Sequence, residues 1–424
     1  MITQPSGRGR SVTRLRTLIL LLLVIPVLGG CSAGADSDGA DGVDRTPLLL
    51  VSIDGFMADY IDRHQTPHLD RLIREGVYAS SMIPVFPTKT FPTHYSMATG
   101  LYVENHGIIS NRFYNIELGE QFSFGPPEET ADRDGWWGGE PIWVTAEKQG
   151  LTAATLFWPG SDYEIGGVRP TRYLDYDASM PNLARIDSII TWMDPDGPVQ
   201  ADFGTLYFSD VDVAGHRYGP ASPEVSAKVL EADEWMGYLM QRLEETGLRG
   251  SLNLMVVSDH GMAELSHDRL IFLDDLIDLD RVRVIDRTPV AMIQPREGET
   301  EQVYRELKEQ ESHYRVYLRE ELPEAYRFSD HGRIPDILLI SDTGYFITTH
   351  TTYISSGIPL GMHGYDHRDP EMHAFFLATG PDFGRGDTLP PFKSVHLYEL
   401  MSHLLQIEPA PNDGDLDAVR FILD

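Results

Sequence analysis

The stretch Leu48-Leu49-Leu50-Val51-Ser52-Ile53-Asp54-Gly55 decides the fold. It is a near-continuous apolar run, which is typical of a strand that is buried on both faces of a parallel sheet. The run stops at Asp54-Gly55, after which Thr66-Pro67 indicates a capped helix start and Gly76 indicates its end. A strand followed by a helix predicts the opening of a doubly wound, mostly parallel α/β sheet flanked by helices.

The same alternation of strands and helices continues along the chain. Further buried strands are predicted at 151–157, 203–208, 252–257 and 374–378. Ser222-Pro223 indicates the start of a long helix that ends near Gly247. Between about 281 and 350 the apolar runs are short and include a helix around 301–310, which predicts a small α+β insert. We expect this insert to belong to one catalytic domain over 47–424.

The first 46 residues have the features of a targeting segment and not those of a folded domain. Four arginines between positions 8 and 16 precede an apolar run, 18–28, which is shorter than the roughly 20 residues that span a bilayer. The run ends in Leu28-Gly29-Gly30-Cys31, which resembles a bacterial lipoprotein cleavage box. We therefore expect 1–30 to be a lipoprotein signal peptide and 31–46 to be a flexible tether. An uncleaved N-terminal anchor is the alternative.

These features predict an exported, periplasmic or cell-surface protein that is lipid-anchored at Cys31, in the outer membrane if the organism is Gram-negative. Cys31 is also the single cysteine, so no internal disulfide is possible. The membrane would be contacted through the lipid alone, and no obligate protein partner is implied.

The formal net charge of −31 argues against binding to a nucleic-acid polymer, because such a surface repels polyanions. A small phosphate ester remains possible if metal ions supply local positive charge. The alternative explanation is that the acidity only keeps the protein soluble.

Acidic side chains follow three of the predicted strands. Asp54 ends the first, Asp259 ends another, and Asp212 lies just beyond a third. The carboxyl ends of strands form the ligand crevice of open α/β sheets, although one such aspartate is as well explained by a turn or a helix cap. Histidines accompany them at His216 and His260.

A further histidine, His363, lies in the glycine-flanked segment Gly361-Met362-His363-Gly364. Mixed aspartate and histidine ligands suit Zn²⁺, with Mn²⁺ or Fe²⁺ as alternatives. The histidines expected to be surface or packing residues are His64, His68, His94, His106, His350, His396 and His403.

A candidate nucleophile lies in the segment Pro87-Thr88-Lys89-Thr90-Phe91-Pro92. Its prolines predict a loop or a helix start. A threonine hydroxyl is a poor nucleophile unless a base or a metal removes its proton, and a metal is the natural activator here. The alternative is that Thr90 is a helix N-cap.

At these residues the chain resembles the nucleotide pyrophosphatase/phosphodiesterase family of the alkaline phosphatase superfamily, over roughly residues 47 to 410. The resemblance rests on ordered segments, among them Ile53-Asp54-Gly55, Lys89-Thr90-Phe91-Pro92, Phe157-Trp158-Pro159-Gly160-Ser161-Asp162, Asp212 to His216, Ser258-Asp259-His260-Gly261 and His363-Gly364-Tyr365-Asp366. It departs from the family pattern at Thr93, Val211 and His367, beside the candidate ligands, which puts fine specificity in doubt more than the reaction.

The resemblance implies a two-zinc hydrolase that releases nucleoside monophosphate through a covalent phosphothreonine at Thr90. One Zn²⁺ would be held by Asp54, Thr90, Asp259 and His260, and a second by Asp212, His216 and His363. Asn111 would donate to a non-bridging phosphate oxygen, although it is otherwise an ordinary turn residue. Phe91, Tyr173 and Tyr207 would contact the base of a small nucleotide substrate, unless these rings belong to the core.

Rival functions share the same metal core. A choline-phosphate or lysophospholipid phosphodiesterase would suit a lipid-anchored protein, but no acidic cage for a quaternary ammonium is evident. A phosphomonoesterase would usually use serine and a cationic phosphate clamp. A sulfatase is disfavoured because the Cys-x-Pro-x-Arg segment is absent. The non-enzyme alternative is a binding lipoprotein with an inactive fold, against which all seven metal-site positions are filled.

Overall fold

The computed structural model describes residues 45–116, 118–123 and 135–423. The predicted signal peptide, the lipid site at Cys31 and nearly all of the tether lie outside these residues, while Arg45–Asp424 forms one compact unit. Among the described residues, no helix has the length and apolar content needed to cross a bilayer.

The secondary structure alternates strands and helices over most of this unit. The strands are β1 (Leu48–Ile53), β2 (Val77–Ala79), β3 (Met82–Ile83), β4 (Arg112–Asn115), β5 (Glu120–Ser123), β6 (Ala153–Leu156), β7 (Arg172–Leu174), β8 (Phe203–Phe208), β9 (Asn253–Val257), β10 (Ala263–Glu264), β11 (Leu270–Phe272), β12 (Val282–Asp286), β13 (Val290–Pro295), β14 (Tyr314–Leu318), β15 (Ile337–Ser341), β16 (Phe346–Thr348), β17 (Gly361–Met362), β18 (Phe376–Thr379), β19 (Asp387–Leu389) and β20 (Phe392–Lys393).

The helices lie between these strands along the chain. They are α1 (Tyr60–Arg63), α2 (Pro67–Glu75), α3 (Thr90–Thr99), α4 (Val103–His106), α5 (Ile142–Lys148), α6 (Asn182–Met193), α7 (Asp210–Tyr218), α8 (Pro223–Glu245), α9 (Leu273–Leu276), α10 (Thr300–Glu309), α11 (His350–Ser356) and α12 (Leu397–Leu404).

An eight-stranded sheet organises the fold, in the order β19-β2-β18-β9-β1-β8-β6-β7. Strand β1 lies at its centre and runs parallel to both β8 and β9. The side chains of Leu49, Val51 and Ile53 pack into one apolar cluster with α2, α6 and α8. Leu48 and Leu50 pack into the cluster on the opposite face, with α3, α5 and α12. Helices therefore cover both faces, which confirms the predicted doubly wound α/β class.

Strand β18 is the main departure from a parallel sheet, because it runs antiparallel to both β9 and β2. The sequence predicted a strand there but no direction, since a buried apolar run looks the same either way. Direction is set by how the chain returns to the sheet edge and not by the residues of the strand.

The start of helix α2 differs from the sequence prediction. The Thr66 side chain makes no capping hydrogen bond. Instead, the carboxylate of Asp233, on α8, accepts hydrogen bonds from the backbone N–H groups of His68 at 3.0 Å and Leu69 at 2.8 Å. A carboxylate from a distant helix thus satisfies the free amides that a local cap usually takes.

The region predicted as an α+β insert contains an antiparallel sheet in the order β12-β13-β15-β14. Helix α10 contributes Val303 and Leu307 to an apolar cluster on one face of this sheet. Alternate residues of β13, among them Val290 and Met292, face the other way and belong to the large cluster of the main sheet. This small sheet is therefore packed against the main body and not suspended from it.

The central strands determine where the functional side chains meet. Asp54 follows β1, Asp259 follows β9, and helix α7, which carries Asp212, begins directly after β8. The backbone N–H of Asp212 donates to the carbonyl of Asp54 at 3.1 Å. Gly55, which directly follows Asp54, has φ +68°, and a Cβ at this position would lie 2.9 Å from the Cα of Asp212. Glycine is required here by both the backbone conformation and the close approach.

Candidate metal centre and nucleophile

Three aspartates converge at the carboxyl edge of the sheet. Asp54 and Asp259 are buried, and Asp212 is largely so. The backbone N–H of Gly55 donates to Oδ1 of Asp259 at 3.1 Å, which fixes that carboxylate beside the end of β1. Parallel neighbours end at one edge, so the β9-β1-β8 order brings these three acids together.

Three histidines lie against these carboxylates. Nε2 of His260 is 3.0 Å from Oδ2 of Asp259 and 3.5 Å from Oδ1 of Asp54. Nε2 of His216 is 3.4 Å from Oδ1 of Asp212, and Nε2 of His363 is 3.7 Å from the same oxygen. The rings of His260 and His363 are stacked with centroids 3.5 Å apart.

Five of these six residues, all except Asp259, give two overlapping sets of atoms that could hold an ion. In each set, the potential ligand atoms lie within 4.8 Å of one another. The two sets are Asp212, His216 and His363, and Asp54, Asp212 and His260. Asp212 belongs to both sets, so its carboxylate lies between the two groups.

All three histidines are oriented in the same way. Their Nδ1 atoms lie 2.8 to 2.9 Å from backbone carbonyls, those of Gly361 for His216, Gly261 for His260, and Thr88 for His363. A carbonyl can only accept, so Nδ1 carries the hydrogen, and in a neutral ring the lone pair of Nε2 faces the carboxylates. Metal-bound histidines have this arrangement, with the distal N–H held by an acceptor.

The carboxylates also leave oxygens without a hydrogen bond. Within the described part of the chain, Oδ1 of Asp54, Oδ1 of Asp212 and Oδ2 of Asp259 have no hydrogen-bond partner of acceptable geometry, although Nε2 of His260 is near. A buried, unpaired carboxylate oxygen is costly unless a positive charge neutralises it. The donor set therefore fits divalent cations held by oxygen and imidazole nitrogen.

The electrostatics indicate the same need for positive charge. Burial, reinforced by the negative charges of Asp259 and Asp212, raises the pKa of Asp54 well above its usual value of 3.8. The pKa of His260 is raised although burial opposes it, because the Asp259 carboxylate favours the imidazolium. In the metal-free protein, a proton on His260 therefore supplies part of the positive charge that a bound cation would supply.

Thr90 lies beside this cluster as the first residue of α3, and its side-chain hydroxyl is 3.5 Å from Nε2 of His260. Lys89 occupies the N-cap position, so the alternative interpretation of Thr90 as a helix cap is wrong. The positive end of the α3 helix dipole is directed at the same region.

Asn111 is oriented by its neighbour in space. Its Oδ1 accepts a hydrogen bond from the backbone N–H of Phe91 at 2.9 Å. Because the side-chain oxygen faces that N–H, the two hydrogens on Nδ2 are directed elsewhere and can donate to a substrate oxygen. The same contact places Phe91, one residue after Thr90, at the edge of the site.

His94 has a larger role than the sequence suggested. It is fully buried, with Nδ1 2.8 Å from the carbonyl of Thr90 and 3.3 Å from Oδ2 of Asp259, and Nε2 2.7 Å from Oγ of Ser52. This histidine connects Thr90, the candidate ligand Asp259 and strand β1. The spacing of four residues from Thr90, one helical turn, is the signal that could have identified it.

The aromatic residues around the site divide into two kinds. Tyr207 is buried, and its hydroxyl donates to Oδ2 of Asp54 at 2.5 Å, so it positions a candidate ligand. Tyr173 lies beneath the guanidinium of Arg169, 5.4 Å from ring centroid to Cζ. Tyr176, which the sequence interpretation omitted, is 49% exposed and its ring centroid lies 6.3 Å from that of Tyr207. Tyr176 therefore offers an accessible face beside the cluster.

The chain is similar to proteins of known activity over nearly its whole length. Residues 48–366 match the family described as type I phosphodiesterase / nucleotide pyrophosphatase. The bis(5'-adenosyl)-triphosphatase enpp4 of Mus musculus is 40% identical over 406 residues, which are 95% of this chain and 86% of that protein. The venom phosphodiesterase CdcPDE of Crotalus durissus collilineatus is 35% identical over 93% of this chain and 48% of its own.

A solved structure extends the likeness to three dimensions. The murine ectonucleotide pyrophosphatase/phosphodiesterase 5, in an inactive mutant form in complex with AMP, superposes with a TM-score of 0.85 and 36% sequence identity. The match covers 90% of this chain and 100% of that one.

Replacing one of the clustered acids tests whether the site needs cations. In the metal-free protein at pH 7, Asp54→Asn should raise the midpoint of thermal unfolding because it removes one of three like charges. The pKa of Asp54 is raised on folding, so its ionisation opposes folding. This cost is absent below pH 3.8, the ordinary pKa, and grows as the pH rises towards the folded-state pKa. The advantage of the variant should therefore disappear in acid.

Added Zn²⁺ should have the opposite effect on the same two proteins. A cation at 100 times its Kd stabilises the wild type by about 2.7 kcal/mol, and should stabilise Asp54→Asn far less. The exposed Asp196→Asn variant is the matched control. Scanning fluorimetry with EDTA or Zn²⁺ checks both effects. An Asp54→Asn protein that is less stable than wild type in EDTA, or that gains as much from Zn²⁺, would contradict the site.

Proposed function

The chain belongs to the type I phosphodiesterase / nucleotide pyrophosphatase family and is a nucleotide phosphodiesterase, and on this premise we propose that Thr90 is its covalent nucleophile. The enzyme hydrolyses phosphodiester and pyrophosphate bonds of small nucleotides and releases nucleoside monophosphate. The observation that supports this most strongly is the Thr90 hydroxyl, 3.5 Å from His260, beside three carboxylates with unpaired oxygens.

Two divalent cations, most suitably Zn²⁺, complete the proposed site. Asp54, Thr90, Asp259 and His260 would hold one of them, and Asp212, His216 and His363 would hold the other. When bound, the cations neutralise phosphate oxygens and favour the ionised forms of the Thr90 hydroxyl and of water. The alignment of the three imidazoles by backbone carbonyls supports this assignment.

The chain's own groups then carry out a two-step displacement. Oγ1 of Thr90 loses its proton to solvent water and bonds to phosphorus, while the bond from phosphorus to the leaving oxygen breaks and its electron pair departs with that oxygen. The amide of Asn111 donates to a non-bridging oxygen of the phosphoryl group as negative charge develops there. In the second step a water oxygen bonds to phosphorus as the bond from phosphorus to Oγ1 of Thr90 breaks, and the proton lost by that water restores the Thr90 hydroxyl, which releases the nucleotide.

Phe91 and Tyr176 are the proposed walls for the nucleobase. Tyr176 replaces Tyr173 in this role because its ring is exposed and lies against Tyr207, whereas the ring of Tyr173 lies beneath Arg169. Aromatic faces accept any base by stacking, so the pocket favours nucleotides without selecting one strictly. The murine relative named as a bis(5'-adenosyl)-triphosphatase supports a dinucleoside polyphosphate as one natural substrate.

The nucleophile is tested by comparing Thr90→Ala with Thr90→Ser. In protein lacking residues 1–30 and supplied with Zn²⁺, Thr90→Ala should lower kcat for the p-nitrophenyl ester of TMP at least about 10³-fold, whereas Thr90→Ser, which keeps a hydroxyl, should retain much of the activity. Acid-quenched wild type should carry a nucleotidyl adduct on Thr90, detected by peptide mass spectrometry.

The rival functions are separated with the same proteins. Faster turnover of p-nitrophenyl phosphocholine than of the TMP ester would contradict the nucleotide preference and indicate a choline-phosphate phosphodiesterase. Faster turnover of p-nitrophenyl phosphate would indicate a phosphomonoesterase. Equal inertness of the wild type and Thr90→Ala would contradict the enzyme altogether.

The nucleobase wall is tested with Tyr176→Ala and the matched Tyr173→Ala. Loss of one stacking face, about 1–3 kcal/mol, should lower kcat/KM for the TMP ester by about 5- to 150-fold in Tyr176→Ala. Bis(p-nitrophenyl) phosphate, which lacks a base, should be affected much less. A larger loss of kcat/KM for Tyr173→Ala than for Tyr176→Ala would instead favour Tyr173, the residue assigned from the sequence, as the nucleobase wall.

Export and lipid attachment at Cys31 remain a proposal from the sequence. The signal 1–30 would be removed and the tether 31–46 would hold the enzyme at a membrane surface. In a bacterial host, radiolabelled palmitate should enter the wild type and not Cys31→Ser, and the latter should be released in soluble form. Equal labelling of the two proteins would contradict the proposal.

A further inference from the structure

One carboxylate of the small antiparallel sheet reaches the segment that carries the nucleophile. Oδ2 of Asp286 accepts hydrogen bonds from Nζ of Lys89 and, at 2.5 Å, from Oγ of Ser110. Nζ of Lys89 also donates to Oγ of Ser110 at 3.1 Å. Lys89 directly precedes Thr90, and Ser110 directly precedes Asn111. The three side chains therefore join the residue before the nucleophile to the residue before the phosphate-binding amide.

A β-bulge directs Asp286 to this place. In the β12–β13 ladder, Val284 pairs with Ile293 but Asp286 pairs with Met292, so Ile285 is an extra residue. Met292 faces the large cluster of the main sheet, whereas Ala291 and Ile293 face the cluster of the small sheet. Without the extra residue, Asp286 would lie opposite Ala291 and face apolar side chains. A bulge next to a functional site commonly redirects a side chain in this way.

Because both side chains are largely buried, the ion pair between Lys89 and Asp286 constrains the position of Lys89. Lys89 is 5% exposed, and the Asp286 side chain is 18% exposed. A buried ammonium without an anion is costly, so Lys89 is held wherever Asp286 lies. Oδ1 of Asp286 accepts from the backbone N–H of Arg287 at 2.7 Å, which fixes the carboxylate itself.

The same sheet also touches the loop of the ligand His363. A Cβ on Gly364 would lie 2.7 Å from Cδ of Pro289, between β12 and β13, and 3.1 Å from Cε of Lys89. The backbone N–H of Gly364 donates to Oγ1 of Thr88 at 2.9 Å. The nucleophile segment thus lies between the small sheet and a metal-ligand loop, with no room for a larger residue.

We propose that Asp286 is a positioning residue for phosphoryl transfer, and that one function of the 281–350 insert is to present it to Lys89 and Ser110. By holding these two side chains, Asp286 keeps the Thr90 hydroxyl and the Asn111 amide in the mutual geometry that in-line attack requires. The link between the two segments is completed by the bond from the Phe91 N–H to Asn111. This inference rests on the proposed function of the site.

The test is a double-mutant cycle with Asp286→Asn and Asn111→Ala, assayed with the TMP ester. Displacement of catalytic groups by about 1 Å costs up to 10²-fold, so Asp286→Asn should lower kcat by about 10- to 100-fold and leave KM within about threefold. Asn111→Ala should cost about 10²-fold in the wild type but at least about fivefold less in Asp286→Asn, because its amide is already misplaced. Asp280→Asn, an exposed change directly before the insert, should leave kcat unchanged.

The second variant covers the case in which Asp286→Asn does not fold, as judged by thermal unfolding. Ser110→Ala keeps the Lys89–Asp286 ion pair and should lower kcat by about 3- to 10-fold with the same non-additivity towards Asn111→Ala. Equal costs of Asn111→Ala in all backgrounds, or kcat for the folded Asp286→Asn within twofold of wild type, would overturn the inference while leaving the function intact. An inactive wild type would overturn both.

Discussion

Three carboxylates directed at one another, at the edge where parallel strands end, are the constraint on which this structure depends. Asp54, Asp212 and Asp259 are brought together by the β9-β1-β8 order, and three imidazoles turn their Nε2 atoms towards them. Without a positive charge among them, this arrangement opposes folding. The fold therefore loses stability at the place where we propose that cations bind, as proteins commonly do at functional sites.

Much of the surrounding structure serves to hold this arrangement. Tyr207 and the Gly55 N–H restrain two of the carboxylates, while His94 links Asp259 to the carbonyl of Thr90. From the other side, Asp286 fixes the residue before the nucleophile. Thr90 is thus held between the main sheet and the small sheet, so that its hydroxyl and the candidate metal ligands are fixed by one set of contacts.

The sequence predicted the features that depend on local pattern. The bounds of β1 and β8 follow from continuous apolar runs, and α8 follows from Ser222-Pro223 and an apolar stripe, because these signals lie within a few residues of one another. The candidate aspartate and histidine ligands could be identified from the sequence for the same reason. The direction of β18 and the capping of α2 by Asp233 were not visible, since both are set by distant segments.

The sequence analysis missed some site residues for the same physical reason, because contacts between distant segments define their roles. His94 looked like one of several histidines until its contacts with Thr90 and Asp259 were seen, and Asp286 reaches Lys89 through a bulge that no composition signal marks. Tyr176 and Tyr173 differ by three positions in one exposed segment, so only the packing of Tyr176 against Tyr207 distinguishes them.

The central claim is that the clustered side chains hold a pair of cations. Elemental analysis of the purified protein, reconstituted with Zn²⁺ and dialysed to remove unbound metal, tests it most directly. The account predicts two equivalents of Zn²⁺ per chain, falling to one in His216→Ala. A content below one equivalent in the wild type, or an unchanged content in that variant, would contradict it.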